Sequence, residues 1–422
     1  MSYGMGLKGF TPELLLLMEI SRGINEFGKS GAPINANDSN EFHIAQSREK
    51  VEFFLSRPVD WDLFLKMTWH HRVFPMVYKT LSNLKIQSIS PHVMHFLKLK
   101  YEENTIRSIG LTGEMIRILR IFQEKGISTL VLKGAPLAQK IYGDVSLRMS
   151  KDIDLLVPLK DLEKAENILR EEGYEQRTRG ISFTPRQTKV YLNKYHHNLY
   201  LHQERGTCLE LHWKMHQIDL RFSTFSRDKD LGTVEISGFS VPVLPDEEWF
   251  LYLVVHGGSH KWERLRWLID MEKFLLVTEV DWDKIMRLAE CAGMKILVHQ
   301  TFLLLDQLFH VDLPDKILEA AIKDKKAVRL AEEVIDCLIS RAKEAPKEIG
   351  FSYWKSFIET HGYRFRIRSG WKLKFSYLHS LIQPIERDFK LIALPDPLYP
   401  LYYFIRPMTW LKRRIIGDTR RK

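Results

Sequence analysis

The chain has very little cysteine. Cys208, Cys291 and Cys337 are all that its 422 residues contain. An odd, sparse set of thiols argues against a disulfide framework, and the spacing matches no zinc pattern. A reducing, cytoplasmic setting is therefore expected. Long apolar runs are missing too. No stretch approaches the roughly 18–20 uninterrupted apolar residues of a spanning helix. Met1 to Phe10 lacks the basic start and long apolar stretch of a secretory signal, and Leu14 to Met18 is too short to supply one. There is no convincing short-period repeat and no low-complexity tract. Most of the chain also lacks an excess of either charge. Residues 361–422 carry 14 Lys and Arg against 4 Asp and Glu, so the whole net charge of +10 belongs to this C-terminal segment.

What is present reads as an ordinary globular protein, with 45% hydrophobic and 27% charged residues. The length suits two or three domains. Residues 11–25 have helical spacing and lead into a soft stretch, Gly28 to Asn40, so residues 1–40 read as helix and linker. Residues 41–125 read as a helical subdomain, in which the stripe Trp61, Phe64, Leu65 and Trp69 is expected to be core. Residues 126–245 read as an α/β core. Its strands are expected at 127–132, 152–157, 189–193, 197–203 and 207–213, with a strand or hairpin at Glu235 to Val243. Between them, Leu159 to Tyr174 is helical and capped by Gly173. Residues 246–360 read as a second helical domain, with Asp246 as a helix N-cap. Residues 361–422 form a basic, aromatic segment.

Lys151-Asp-Ile-Asp-Leu-Leu-Val157 is the most informative run. Residues two apart in a strand share a face. Asp152 and Asp154 therefore project together, while Ile153 points away. Adjacent like charges repel unless a cation neutralises them. Paired carboxylates suit Mg²⁺, held through one or two carboxylates and substrate phosphates. A solvated strand edge is the alternative for this motif taken alone. Upstream, Ile127 to Leu132 is followed by Lys133-Gly-Ala-Pro136, which reads as strand, tight turn and helix start. Gly134 permits close backbone approach, and a helix start presents amides to an anion. An ordinary strand-to-helix turn would look the same. Downstream, Thr207 to Trp213 alternates again, with Glu210 and His212 on one face. Glu210 can complete a three-carboxylate cluster, the kind that holds two metal ions about 3.5–4 Å apart.

The order is strand, glycine turn, helix, Asp-x-Asp strand, helix and a Glu-bearing strand. It resembles the polymerase-β-like nucleotidyltransferase superfamily. More closely, Leu132 to Ala138, Tyr142-Gly-Asp144, Arg148, Lys151 to Val157 and Glu210-Leu-His-Trp213 resemble the bacterial uncharacterised nucleotidyltransferase family. So do His256 to Asp270 and Tyr402 to Pro407. The resemblance covers most of the chain from about residue 50. It implies an α+β fold, in which a polymerase-β-like core with a mixed sheet is flanked by helical subdomains. It also implies transfer of an NMP from an NTP to an acceptor hydroxyl. On this reading Asp152, Asp154 and Glu210 are both metal ligands and catalytic, with Mg²⁺ or Mn²⁺ as cofactor. Lys133, Gly134, Ala135, Arg148 and Lys151 bind the nucleotide. The superfamily turn carries a hydroxyl residue where this chain has Ala135, and its glycine lies closer to the first carboxylate.

Two segments admit more than one reading. In His256 to Asp270, Arg264, Arg266 and Asp270 can tie helices together. Alternatively His260, Lys261 and Arg264 face the active site, with His212, to contact phosphate or acceptor. Zinc at His256 and His260 is disfavoured, because the segment lacks the internal Glu of a metalloprotease motif. In residues 361–422, Trp371, Phe375, Tyr399, Tyr402, Tyr403, Phe404 and Trp410 lie among Arg364, Arg366, Arg368, Lys412, Arg413 and Arg414. Peripheral contact with an anionic membrane suits them; so does a closed aromatic core with solvated charges, packed on the helical domain. Nucleic acid is disfavoured, since no binding motif is present. The acceptor class is open, with a sugar, lipid-linked or peptide acceptor in exopolysaccharide or peptide natural-product synthesis suggested by resemblance alone. Ala135 also leaves room for a chain that binds nucleotide or a partner without turnover.

Overall fold

The computed structural model describes residues 9–23, 39–177, 183–218, 220, 231–343 and 352–415. Most of the expected linker, Gly28 to Asn40, lies outside the described residues. A five-stranded sheet stands at the centre. It is built from β1 (Leu130–Val131), β2 (Ile153–Leu156), β3 (Glu175–Gln176), β4 (His197–His202) and β5 (Thr207–His212). The order is β1-β2-β5-β4-β3. β2 and β5 run parallel, and the other neighbours are antiparallel. A parallel pair needs a long crossover. The connection here contains the helices Leu162–Glu171 and Pro185–Lys194. The helix Leu162–Glu171 buries Leu162, Ala165, Ile168 and Leu169 as one stripe. The chain leaves it through Gly173, whose φ of +86° suits only glycine.

The sheet is mixed and the flanks are helical, as expected, but some boundaries move. The expected strand at 189–193 is part of the helix Pro185–Lys194. Thr184 and Gln187 form a reciprocal capping box at its start, and Pro185 fills the first position. Those signals outrank the alternation of Val190 and Leu192. The first expected strand shrinks to Leu130–Val131. Asp246 is the first residue of the helix Asp246–Ser259, not its cap, and its carboxylate meets Lys140 Nζ at 3.0 Å. The hairpin falls at Gly232–Ile236 and Phe239–Val243. Its turn, Ser237 and Gly238, has φ of +51° and +74°, as tight hairpin turns require.

One continuous apolar core extends from Leu14 to Ile367 and takes in the sheet and both helical flanks. Phe64 is fully buried within it, but Trp69 is 49% exposed and stacks on Phe74. The C-terminal segment has its own small cluster of Phe389, Tyr399 and Tyr402. It docks on the α/β unit as well as on the helices. Lys194 Nζ donates to the carbonyls of Ser380 and Gln383 at 2.9 and 2.6 Å. Tyr363 donates to Gln300 on the helical side.

Gly257 and Gly258 do not break their helix; they let it pack closely. A Cβ on Gly257 would lie 2.3 Å from the ring of Trp262, which is fully buried. Gly257→Ala should therefore cost about 1–3 kcal/mol through overpacking. Gly110→Ala, in the helix Pro91–Glu124 with nothing within 4 Å, should stabilise by about 0.5–1 kcal/mol. Thermal melts of the two variants should shift in opposite directions. Equal shifts would contradict this packing.

Candidate active site

The strand-to-helix turn after β1 positions the first site residues. Gly134 has φ +87° and ψ −132°, outside the range of residues with a side chain. An added Cβ would be 3.9 Å from Ser150 Oγ, so the backbone conformation demands glycine here, not crowding. Trp249 Nε1 donates to the Leu132 carbonyl at 2.7 Å and fixes the strand end. The helix Ala135–Tyr142 then begins, with Pro136 in its first turn. Lys133 projects back to the carboxylates. Its Nζ is 3.6 Å from Asp152 Oδ1 and in direct contact with Asp154 Oδ2.

Asp154 and Glu210 are register partners on the parallel strands β2 and β5. The pleat therefore sends both carboxylates to one face, and Asp152, two residues ahead, joins them. Exposure falls from 31% for the Asp152 side chain to 22% for Glu210 and 1% for Asp154. Buried carboxylates need compensation, because desolvation costs several kcal/mol per ion. Lys133 and His212 provide it. His212 Nε2 lies 3.4 Å from Asp154 Oδ1 and 3.3 Å from Glu210 Oε2. Burial would lower the His212 imidazolium, but Asp154 and Glu210 raise it. Burial would likewise lower the Lys133 ammonium, and Asp154 and Asp152 raise it strongly. Burial favours a neutral Glu210, yet His212 and Lys133 hold its carboxyl down at about 2.

These groups form one wall of a cavity of about 440 Å³. The rest of its lining comes from both helical flanks. It includes Arg72, His256, His260, Arg264, Arg364 and Arg368. Lys151, an exposed residue, also lines the cavity. The ammonium of Lys151 is lowered first by Arg72, then by burial and by Arg264, and burial and Arg264 lower the Arg72 guanidinium. Cations held together around a concave space make a site for an anion.

The expected site residues do not all converge. Lys133, Gly134, Lys151, Asp152, Asp154, Glu210, His212, His260 and Arg264 all line the cavity. Ala135 does not; it lines a small neighbouring cleft with Ser108 and Leu111. Arg148 reaches the cavity wall, but its Nε is bound to Asp270 Oδ2 at 3.0 Å with both side chains buried. Tyr142 donates to the other oxygen of Asp270 at 2.8 Å. Asp270 thus pairs with Arg148, while Arg266 donates to the Met149 carbonyl. Arg264 faces the cavity and donates to the His70 carbonyl at 3.1 Å. Lys261 is placed over the Tyr363 ring. Sequence reasoning missed Arg72, His196, His197, His216, Arg364 and Arg368. Adjacent histidines at the head of an expected strand were a visible signal for His196 and His197. Arg72 had none: it ends the helix Trp61–His71 at φ +57° and reaches the site only through tertiary packing.

The buried Arg148–Asp270 pair should dominate the stability of this wall. Asp270→Ala leaves Arg148 uncompensated beside Arg266, whose guanidinium burial and Arg148 already lower to about 9. The expected loss is about 3–5 kcal/mol. Adding Arg148→Met should restore part of it in urea unfolding. Losses that simply add would contradict the pairing.

A search of the curated proteins finds no match. The sequence pattern of the uncharacterised nucleotidyltransferase family matches residues 57–310, well over half of the chain. The match runs from the helix that delivers Arg72, through the glycine turn and the carboxylate strands, to the helices behind the cavity. On that match, the chain belongs to the uncharacterised nucleotidyltransferase family.

Proposed function

We propose that the protein moves an NMP from an NTP to a hydroxyl-bearing acceptor, with Mg²⁺ or Mn²⁺ as cofactor. The observation that carries this reading is the in-register pairing of Asp154 with Glu210, with Asp152 on the same face and the Gly134 turn beside them. The donor set fits a hard cation. Asp154 and Glu210 bring carboxylate oxygens within 4.8 Å of each other and of a His212 nitrogen, Asp152 adds a third carboxylate on the same face, and Asp154 Oδ1 is buried without a hydrogen bond. When bound, such an ion neutralises triphosphate charge and lowers the pKa of a coordinated hydroxyl.

The rest of the work falls to the chain itself. Asp152, Asp154 and Glu210 would hold the ion, and Glu210 stays ionised through neutral pH as that role needs. Lys133 has a flexible stem and a retained charge, so it can serve the phosphates. Arg72, Lys151 and Arg264 would bind the leaving pyrophosphate, and Arg can grip it bidentately. Arg148 is better assigned to the buried pair that shapes the wall. Ser150 Oγ, beside the Gly134 turn, offers the hydroxyl that Ala135 lacks. Burial and Arg364 lower the His260 imidazolium. His260 faces the cavity and is suited to accept the acceptor's proton. Positioning and charge neutralisation then supply most of the catalysis.

The test mixes purified protein, Mg²⁺ and each α-labelled NTP with fractionated lysate. Label should move to an acceptor, and Asp154→Asn should reduce transfer by at least about 10²-fold. NTP that binds tightly but never transfers would favour a binding protein without turnover.

The C-terminal segment supports a location for this chemistry. No helix among the described residues is long and apolar enough to cross a membrane. The helix Trp371–Ile382 nonetheless exposes Trp371, Phe375, Leu378 and Ile382, at 72%, 66%, 45% and 56%. Spacings of four, three and four put them on one face. Phe404 and Met408, on the helix Tyr402–Ile415, are equally exposed. Tyr377, Tyr399 and Tyr402 do close a core, but this stripe does not. Its net positive surroundings match an anionic lipid surface. Full-length protein should float with phosphatidylserine vesicles and not with phosphatidylcholine alone. Trp371→Ser with Phe375→Ser should abolish flotation, and high salt should weaken it. A variant that still floats, or a wild type that never does, would remove the membrane role.

A further inference from the structure

Three imidazoles meet on the β4–β5 side of the cavity. His197 opens β4 and is the register partner of His212 at the end of β5. Their rings share a face, with centroids 4.8 Å apart. His196 precedes the strand, so it escapes strict alternation. Its carbonyl accepts from Trp213 N–H at 3.0 Å. Its ring is 4.4 Å from that of His197 and 5.5 Å from that of His212. One ring nitrogen from each residue lies within 4.8 Å of the other two.

The nitrogens are poorly satisfied. Nδ1 of His196, His197 and His212 is buried and has no hydrogen-bond partner, and neither has Nε2 of His212. His212 is only 3% exposed. Each unsatisfied buried polar atom costs about 1–3 kcal/mol, so several in one place need a cause. The far side of the cluster supplies a clue. His197 Nε2 is 3.7 Å from Glu210 Oε1, and His212 Nε2 faces Glu210 and Asp154. A carboxylate behind an imidazole keeps the proton on Nε2 and directs the Nδ1 lone pair away from it. That is how metal-binding histidines are held.

We propose that His196, His197 and His212 bind a borderline divalent transition-metal ion of the Zn²⁺, Co²⁺ or Fe²⁺ class, in addition to the carboxylate site. Imidazole selects these ions over Mg²⁺. A tetrahedral ion at about 2.0–2.1 Å from each nitrogen holds the nitrogens roughly 3.4 Å apart, which small ring rotations provide. All three histidines line the cavity, so the fourth position is open to a ligand there. The inference rests on ligand geometry and does not require the transfer reaction.

Co²⁺ added to metal-free full-length protein tests it. One equivalent should bind with the intense visible absorption of a four-coordinate site, and X-ray absorption of the loaded protein should count three imidazoles. His196→Gln should lose more than the roughly ten-fold in affinity that even an outer-shell change costs. Asp152→Asn should leave the spectrum unchanged. The X-ray absorption arm uses the native protein and holds even if His196→Gln fails to fold. A weak six-coordinate spectrum with one imidazole would overturn the proposal and assign the ion to Asp154, Glu210 and His212. Affinity unchanged in His196→Gln would overturn it as well.

Discussion

The structure turns on one electrostatic constraint: three carboxylates are held on a single sheet face, with Asp154 almost fully buried. Such a cluster survives only where cations answer it. Lys133 arrives from the glycine turn and His212 from the next parallel strand, and each touches Asp154. The parallel pairing of β2 with β5 is what brings Glu210 alongside. A slipped pairing would move Glu210 off the register partner of Asp154, and a one-residue slip would turn it to the other face.

The sheet supplies only half the cavity. Its other wall is a set of cations on helices far apart in sequence, with Arg72 before the sheet and Arg264, Arg364 and Arg368 after it. The tight packing at Gly257 and the buried Arg148–Asp270 pair set where that wall stands. The result is a concave space lined by both acidic and basic groups. A metal-bound polyphosphate has the complementary charge pattern: its cation meets the carboxylates and its phosphates meet the arginines.

Much of this was legible in the sequence, where short-range periodicity carries the signal. The Asp-x-Asp alternation, the Glu210–His212 face and the Lys133–Gly134 turn all follow from spacing of two or from glycine placement. The helix at Pro185–Lys194 was also encoded, in Thr184, Pro185 and Gln187, but Val190 and Leu192 offered a competing strand pattern. The pairing of Arg148 with Asp270, 122 residues away, could not be read from local spacing. Arg72 gave no local cue, since its role comes from long-range packing. Exposure of the Trp371 stripe was equally hidden: helical spacing shows that the residues share a face, not whether anything covers it.

The most direct measurement is a crystal structure with Mn²⁺ and a non-hydrolysable NTP, read by anomalous scattering at the manganese edge. The account predicts a peak within coordination distance of Asp152 and Asp154 oxygens, with Lys133 Nζ moved from between them toward the phosphates. Nucleotide bound with no manganese at these carboxylates, and Lys133 still clasping Asp154, would contradict it.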